Sequence, residues 1–130
     1  MTRQLLELIR VNAQAHGQVA IACTEHDLTL ALADDAASMT AYVAVDAVGV
    51  RGAVIFSSGY STFRGGPRIW IEDIVVDPTV RRCGLAMQLL DEVRATAALM
   101  GAVEIQGAVL AGNVLANRFW SHAGFTAKSE

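Results

Sequence analysis

The fold is read from Val76-Asp-Pro-Thr-Val-Arg-Arg-Cys-Gly-Leu-Ala86, which joins an apolar run over Arg68–Val76 to a helical pattern that starts after Gly84. Asp77-Pro78 closes the run, because proline has no amide hydrogen to give a central strand ladder. Beyond Gly84, Ala86, Leu89, Leu90, Val93, Ala97 and Met100 fall on one helical face. Gln88, Asp91, Glu92 and Arg94 fall away from it, and Gly101 ends the helix. A strand that turns into a helix leaves unpaired amides at the positive end of the helix dipole, a setting that favours an anion such as phosphate. Gly84 admits close backbone approach, Ala86 is nearly as small, and Arg81 with Arg82 adds charge able to pair with phosphate oxygens. The same residues also fit an ordinary strand-to-helix turn with a solvated arginine pair, and spacing alone does not separate the two. The segment is neither a Walker A loop nor a G-x-G-x-x-G turn.

Upstream, Leu5, Leu8 and Ile9 mark the apolar face of a first helix that Gly17 stops. Thr24 precedes Asp27 by three residues, a capping-box spacing with Asp in place of Glu, and a second helix is predicted over Asp27–Asp35. From Thr40 the period shortens. Ala41–Val45 and Arg51–Tyr60 predict a hairpin turned at Asp46–Gly49, Ser61–Pro67 reads as a glycine-rich loop, and Arg68–Val76 as a third strand. Downstream, Ala102–Leu110 reads as a strand and Asn113–His122 as a short helix ended by Gly124. This order predicts an α/β (α+β) sheet with helices on its faces.

Composition sets the bounds. A chain of 130 residues predicts one domain, residues 1–130. With 53% hydrophobic and 18% charged residues and a mean hydropathy of +0.38, it is too apolar for disorder and predicts a real core. No apolar run approaches the ~18–20 residues of a membrane span, and the start MTRQLLELIR lacks a signal-peptide pattern, so no membrane role is expected. The net charge is −3, Lys128 is the sole lysine, and no basic stripe points to nucleic acid. Cys23, Cys83, His16, His26 and His122 show no metal-ligand spacing, so no metal is expected, and a reducing cytoplasm is the simplest compartment.

Two segments in order resemble the GNAT N-acetyltransferase superfamily. Arg81-Arg82-Cys83-Gly84-Leu85-Ala86 matches its Arg/Gln-x-x-Gly-x-Gly/Ala pyrophosphate loop. Asn113, Ala116, Phe119, Trp120, Gly124 and Phe125 match its Asn-x-x-Ala-x-x-Phe-Tyr-x-x-x-Gly-Phe segment. More finely, Tyr60–Val76, an aromatic-rich loop leading into a strand that bears Glu72-Asp73, is similar to the diamine (spermidine/spermine and thialysine) acetyltransferase branch. The resemblance runs from about Leu5 to Phe125 and implies the GNAT fold, a mixed, mostly antiparallel sheet flanked by helices.

The resemblance further implies acetyl-CoA as donor and, as acceptor, the primary amine of a small cationic molecule, a polyamine or a lysine-like compound, attacking directly in a ternary complex. The backbone of Ile74, Val75 and Val76 is then expected to pair with the pantetheine amides, as an added strand pairs with an edge. Amides of Arg82, Cys83, Gly84, Leu85 and Ala86, with Arg81, are expected to hold the pyrophosphate, and Asn113, Ala116, Phe119 and Trp120 to complete the cofactor site. An alkylammonium with a pKa near ~10.4 must lose a proton before it attacks. Glu72 is the first candidate to take it and Asp73 the second. Successive strand side chains face opposite ways, so both carboxylates serve one site only if the strand is bulged. Glu72 also reads as a surface carboxylate in a cross-strand pair. Tyr60 and Phe63 read either as walls for the amine's methylene chain or as loop-anchoring aromatics. A protein amino group or an aminoglycoside as acceptor, and a degenerate acyl-CoA-binding protein without turnover, are the alternatives.

Three departures from the family pattern stand out. Trp120 occupies the place of a tyrosine that protonates the leaving thiolate, and an indole N–H is not a usable acid. His122, two residues on and roughly 200° around the helix, reads as a surface residue rather than a replacement. The family's opening strand and its last strand are both missing from the pattern, which leaves sheet edges to be covered and implies a homodimer, a rearrangement or a shortened chain. Cys83 reads as a small buried thiol.

Overall fold

A computed structural model describes residues 1–15, 21–33, 39–81 and 83–127. Helices α1 (Thr2–Ala15) and α2 (Glu25–Ala31) come first, then strands β1 (Thr40–Val45), β2 (Val50–Ser61) and β3 (Gly66–Val76). A 3-10 turn (Pro78–Val80), helix α3 (Leu85–Met100), strand β4 (Glu104–Gly107) and helix α4 (Val114–His122) complete the chain. The strands form one mixed sheet in the order β1-β2-β3-β4, antiparallel except for the parallel β3–β4 pair. The expected shortened sheet is what the described residues form. Among them no helix is long and apolar enough to cross a membrane.

Two apolar layers sandwich this sheet. Leu5, Leu6, Leu8 and Leu28 from α1 and α2 bury Ala53, Ile55 and Val75 on one face. On the other face, Leu89, Leu90, Val93 and Ala97 of α3 bury Val54, Phe56, Ile69 and Ile71. Alternation along β2 supplies both layers from one strand, because neighbouring side chains point to opposite faces. Polar ties fix the layers to the sheet. Gln4 Oε1 accepts from the Val50 amide at 2.9 Å, and the Tyr42 and Thr96 hydroxyls lie 2.6 Å apart, joining α1 to β2 and β1 to α3.

The capping box forms as expected. The Asp27 amide donates to Thr24 Oγ1 at 3.1 Å and the Thr24 amide to Asp27 Oδ2 at 3.0 Å, so two orphan amides are satisfied reciprocally. These bonds hold the Asp27 carboxyl below the usual carboxylate range, the Thr24 amide being the main cause. The helix they start is shorter than predicted and ends at Ala31, since only Leu28 on it is buried. Asp34 and Asp35, at the end of the predicted helix, and Gly17, the predicted stop of α1, lie outside the described residues.

Two boundaries and the burial of one side chain differ from expectation, each for a local reason. The loop predicted over Ser61–Pro67 contracts to residues 62–65. Ser61 Oγ accepts from the Arg64 amide at 3.0 Å and Gly65 takes a φ of +74°, so four residues suffice to turn the chain. Pro67 then sits inside β3 near its start, where a missing amide is tolerated, and its carbonyl accepts from Val103 N at 2.8 Å. The strand predicted over Ala102–Leu110 is only Glu104–Gly107, paired with Arg68–Ile71. Directly after Ile71 the β3 register shifts, so the ladder has no regular edge to continue along. On α3, Arg94 is half-buried instead of solvated. It donates to the Ala123 carbonyl, lies 5.8 Å from the Phe125 ring centroid and pairs with Asp91 at 3.3 Å, fastening the end of α4 to α3.

Urea unfolding checks this hierarchy. Leu90→Ala, at a fully buried position facing the sheet, is expected to cost about 3 kcal/mol. Thr24→Ala, which removes one exposed cap, is expected to cost about 1 kcal/mol. Equal losses would show that the α3 layer is not the main core.

Candidate active site

Ile55 pairs with Asp73 and Phe56 with Ile71, so Glu72 is an extra residue without a partner on β2. This one-residue bulge is the condition the sequence reading set for the two carboxylates. Its effect is visible in the core. Ile69 and Ile71 face α3, whereas Val75, four residues beyond Ile71, faces α1 and α2. In an unbroken strand residues four apart share a face; the bulge reverses the phase. Asp73 thereby comes to the face of its partner Ile55, on the α1–α2 side.

Glu72 lies on that side too. The Trp70 indole Nε1 donates to Glu72 Oε2 at 3.2 Å, and Trp70 pairs with Ser57, which alternates with Phe56 of the α3 face. Trp70 and Glu72 are exposed and Asp73 is half-buried. The Asp73 pKa is pushed up to about 6, chiefly by burial and secondly by the negative charge of Glu72. Burial disfavours the ionised form, and a like charge nearby adds to the effect. Two adjacent carboxyl groups thus differ in environment: one exposed and steadied by an indole, the other half-buried with its pKa pushed up to about 6.

Trp70 was not singled out in the sequence. Its signal was the spacing Trp70-x-Glu72, which on a strand puts both side chains on one side. Tyr60, by contrast, pairs with Pro67 and alternates onto the α3 side with Ile69, so the fold does not bring it to Glu72 and Asp73. Phe63 lies in the hairpin turn, 96% exposed.

Past Ile71 the β3 edge opens. β4 accompanies β3 only from Arg68 to Ile71, so among the described residues no strand pairs with Ile74, Val75 and Val76 on that side. Ala108, Val109 and Leu110 continue β4 outside any strand and are exposed. The open edge leads through Asp77 into the turn before α3.

Gly84 is the N-cap of α3, with φ +74° and no side-chain cap, and the first turn carries no acidic residue. Helix α3 therefore begins with amides that no side chain of its own satisfies, at the positive end of the dipole. A Cβ built at Gly84 meets no atom of the described residues within 4 Å, so among them nothing covers these amides. The left-handed φ is what calls for glycine here. Arg81 beside it is exposed, and Arg82 lies outside the described residues. Cys83, expected to be buried, is exposed, its thiol turned to the exposed Arg81 carbonyl at 3.8 Å.

The residues of the second motif serve α4 itself. Asn113 Oδ1 accepts from the Ala116 amide at 3.1 Å and caps the helix. Trp120 stacks edge-on between Phe119 (centroids 5.2 Å apart) and Phe125 (4.8 Å), and all three pack on the α3-side core. His122 is exposed, as expected.

A paired-carboxylate bulge, an open strand edge and an uncapped helix start follow one another along the chain from Glu72 to Gly84. Solved structures share the fold. A tetramutant of a Bacillus halodurans protein superposes with a TM-score of 0.82 at 17% identity, covering 100% of this chain and 92% of that one. A ribosomal-protein-alanine N-acetyltransferase from Brucella melitensis biovar Abortus 2308 gives 0.79 at 17% identity, with 99% and 88% covered. An aminoglycoside acetyltransferase from an uncultured soil metagenomic sample gives 0.76 at 19% identity, with 99% and 84% covered. At such identities these likenesses speak for the fold alone. The profile of the acetyltransferase (GNAT) family, however, matches residues 5–125, and the chain belongs to that family.

Proposed function

We propose that the protein transfers an acetyl group from acetyl-CoA to the primary amine of a small cationic acceptor, a polyamine or a lysine-like compound, by direct attack in a ternary complex. The single observation that carries this reading is the bulge that sets Glu72 and Asp73 side by side next to the Trp70 indole. Two carboxyl groups and an aromatic face suit an alkylammonium by charge and by cation–π attraction. The similarity of Tyr60–Val76 to the diamine acetyltransferase branch points the same way.

The residues fit the donor. The open edge at Ile74, Val75 and Val76 has free amides and carbonyls for an amide-bearing chain, and the α3 start has uncapped amides and Arg81 for a pyrophosphate. Acetyl-CoA, when bound, supplies the activated acetyl thioester. The protein's own groups do the remaining work. Glu72, held by Trp70, draws the ammonium in, and Asp73, with its pKa near 6, accepts the proton that frees the amine. Trp120 offers no acid, but a thiol with a pKa of ~8.5 leaves as thiolate without one. The single-domain and homodimer expectations belong to the same reading, since β1 leaves an outer edge whose residues, Thr40–Val45, carry no charge.

An aminoglycoside is the second reading, because it too is polycationic and one solved structure of this fold is an aminoglycoside acetyltransferase. Free-thiol release at saturating acetyl-CoA, measured with diamines, lysine analogues and aminoglycosides, separates the acceptors. Release with none of them would leave a binder of acyl-CoA without turnover.

Two predictions follow from the site. Asp73→Asn is expected to lower kcat by about 10²–10³-fold, and to raise Tm at pH 8. The folded pKa near 6 exceeds the ordinary 3.8, so ionising Asp73 costs stability as pH rises from about 4 to 6, and the amide escapes that cost. In Glu72→Gln the acid limb of the kcat–pH profile is expected to move to lower pH, because the charge that lifts Asp73 is gone; a limb that stays in place would remove Asp73 from the proton transfer. For the donor site, Gly84→Ala forces a left-handed residue at about 1–2 kcal/mol and puts a methyl over the α3 amides. CoA affinity by calorimetry is expected to fall roughly tenfold, that is ~1.4 kcal/mol, with the fold retained.

A further inference from the structure

We infer that Arg51 is a positioning residue for the phosphate loop: from the start of β2 it locks the turn through which the chain enters α3. The inference rests on the cofactor reading above. Arg51 lies where the β1–β2 register slips, between the pairs Val45–Val50 and Ala44–Gly52, and its side chain is 16% exposed. Its Nη2 donates to Thr79 Oγ1 at 2.8 Å. The Thr79 hydroxyl in turn donates to Asp77 Oδ1 at 2.8 Å, and the same oxygen accepts from the Thr79 amide at 2.9 Å. The Asp77 amide donates to the Arg51 carbonyl at 2.8 Å. One residue thus holds the turn by backbone and side chain together.

Its remaining contacts reach a second turn. Arg51 Nε is buried and makes no hydrogen bond to the described residues, and it sits 3.6 Å from Asp46 Oδ2 and 4.0 Å from Asp77 Oδ2. Asp46 organises the β1–β2 turn by accepting from Val48 N at 2.8 Å and Gly49 N at 3.3 Å. The half-buried guanidinium, with its Nε out of contact with water, sits between the carboxylates of both turns, so the two turns are held to each other through it. The 3-10 turn ends at Val80, and Arg81 to Cys83 are all that separates it from Gly84. On this inference a shift of that turn reaches the start of α3, which the cofactor reading assigns to the pyrophosphate, while Glu72 and Asp73 lie upstream within the paired sheet.

The test is titration of CoA by calorimetry on the full chain, with circular dichroism confirming that each variant is folded at the working temperature. Arg51→Met is expected to weaken CoA about tenfold, the size of a lost hydrogen bond to a charged group. Arg51→Lys is expected to recover most of the loss. Thr79→Val, on the exposed turn, is expected to weaken CoA as well, and the double variant to be no weaker than Arg51→Met alone, because both act through one relay. In turnover, KM for acetyl-CoA rises while kcat and KM for the amine hold. Unchanged CoA affinity in Arg51→Met, or a loss confined to kcat, overturns the inference. Should Arg51→Met fail to fold, Thr79→Val decides, and wild-type affinity there overturns it equally. Failure of the wild-type chain to bind CoA overturns the cofactor reading and this inference with it, an outcome distinct from the others.

Discussion

A single inserted residue, Glu72 in β3, is the constraint on which the rest of the site depends. Were β3 regular through Glu72, with no bulge, Ile69, Ile71, Asp73 and Val75 would all point at α3, and a carboxylate would enter that apolar layer. Burying an unpaired carboxylate there is prohibitive, so the sequence tolerates Asp73 only because the strand changes phase before it. The change also moves Val75 to the α1–α2 layer, where it closes the packing around Ile55 and Ala53. Core packing and placement of the carboxyl pair are therefore satisfied by the same local irregularity.

The bulge ends the β3–β4 ladder as well. Gly107 is the last residue of β4 to pair, opposite Ile71, and the next residue of β3 is the bulged one. An edge with free amides and carbonyls results beside the carboxyl pair, and it runs on to the uncapped start of α3. Unsatisfied backbone groups are normally avoided. Here they are lined up along one path, which is what a long ligand with amides at one end and phosphates at the other requires. The acidic pair and the amide-rich helix start divide the path by charge, one end suited to a cation and the other to an anion.

The α4 segment illustrates how a motif can be right about the family while its residues act locally. Asn113 caps its own helix, and Phe119, Trp120 and Phe125 form an edge-to-face stack on the α3 layer that Arg94 braces. Such a stack anchors the end of the chain against α3 by aromatic contact. The indole in place of a tyrosine is accommodated by that stack.

Much was legible in the chain itself. The Thr24–Asp27 box, the hairpin around Asp46–Gly49, the stop at Asp77-Pro78, the buried face of α3 and the family all follow from residue type and spacing, because caps, turns and periodicity are interactions within a few residues. The alternation rule even stated that Glu72 and Asp73 need a bulge to meet. Whether the bulge exists, that Trp70 and not Tyr60 shares their face, that β4 stops at Gly107, and that Arg51 reaches Thr79 were decided by the tertiary structure. Register and ion pairing between segments far apart in sequence depend on which layer each strand must fill, and that is settled only when both faces of the sheet pack at once.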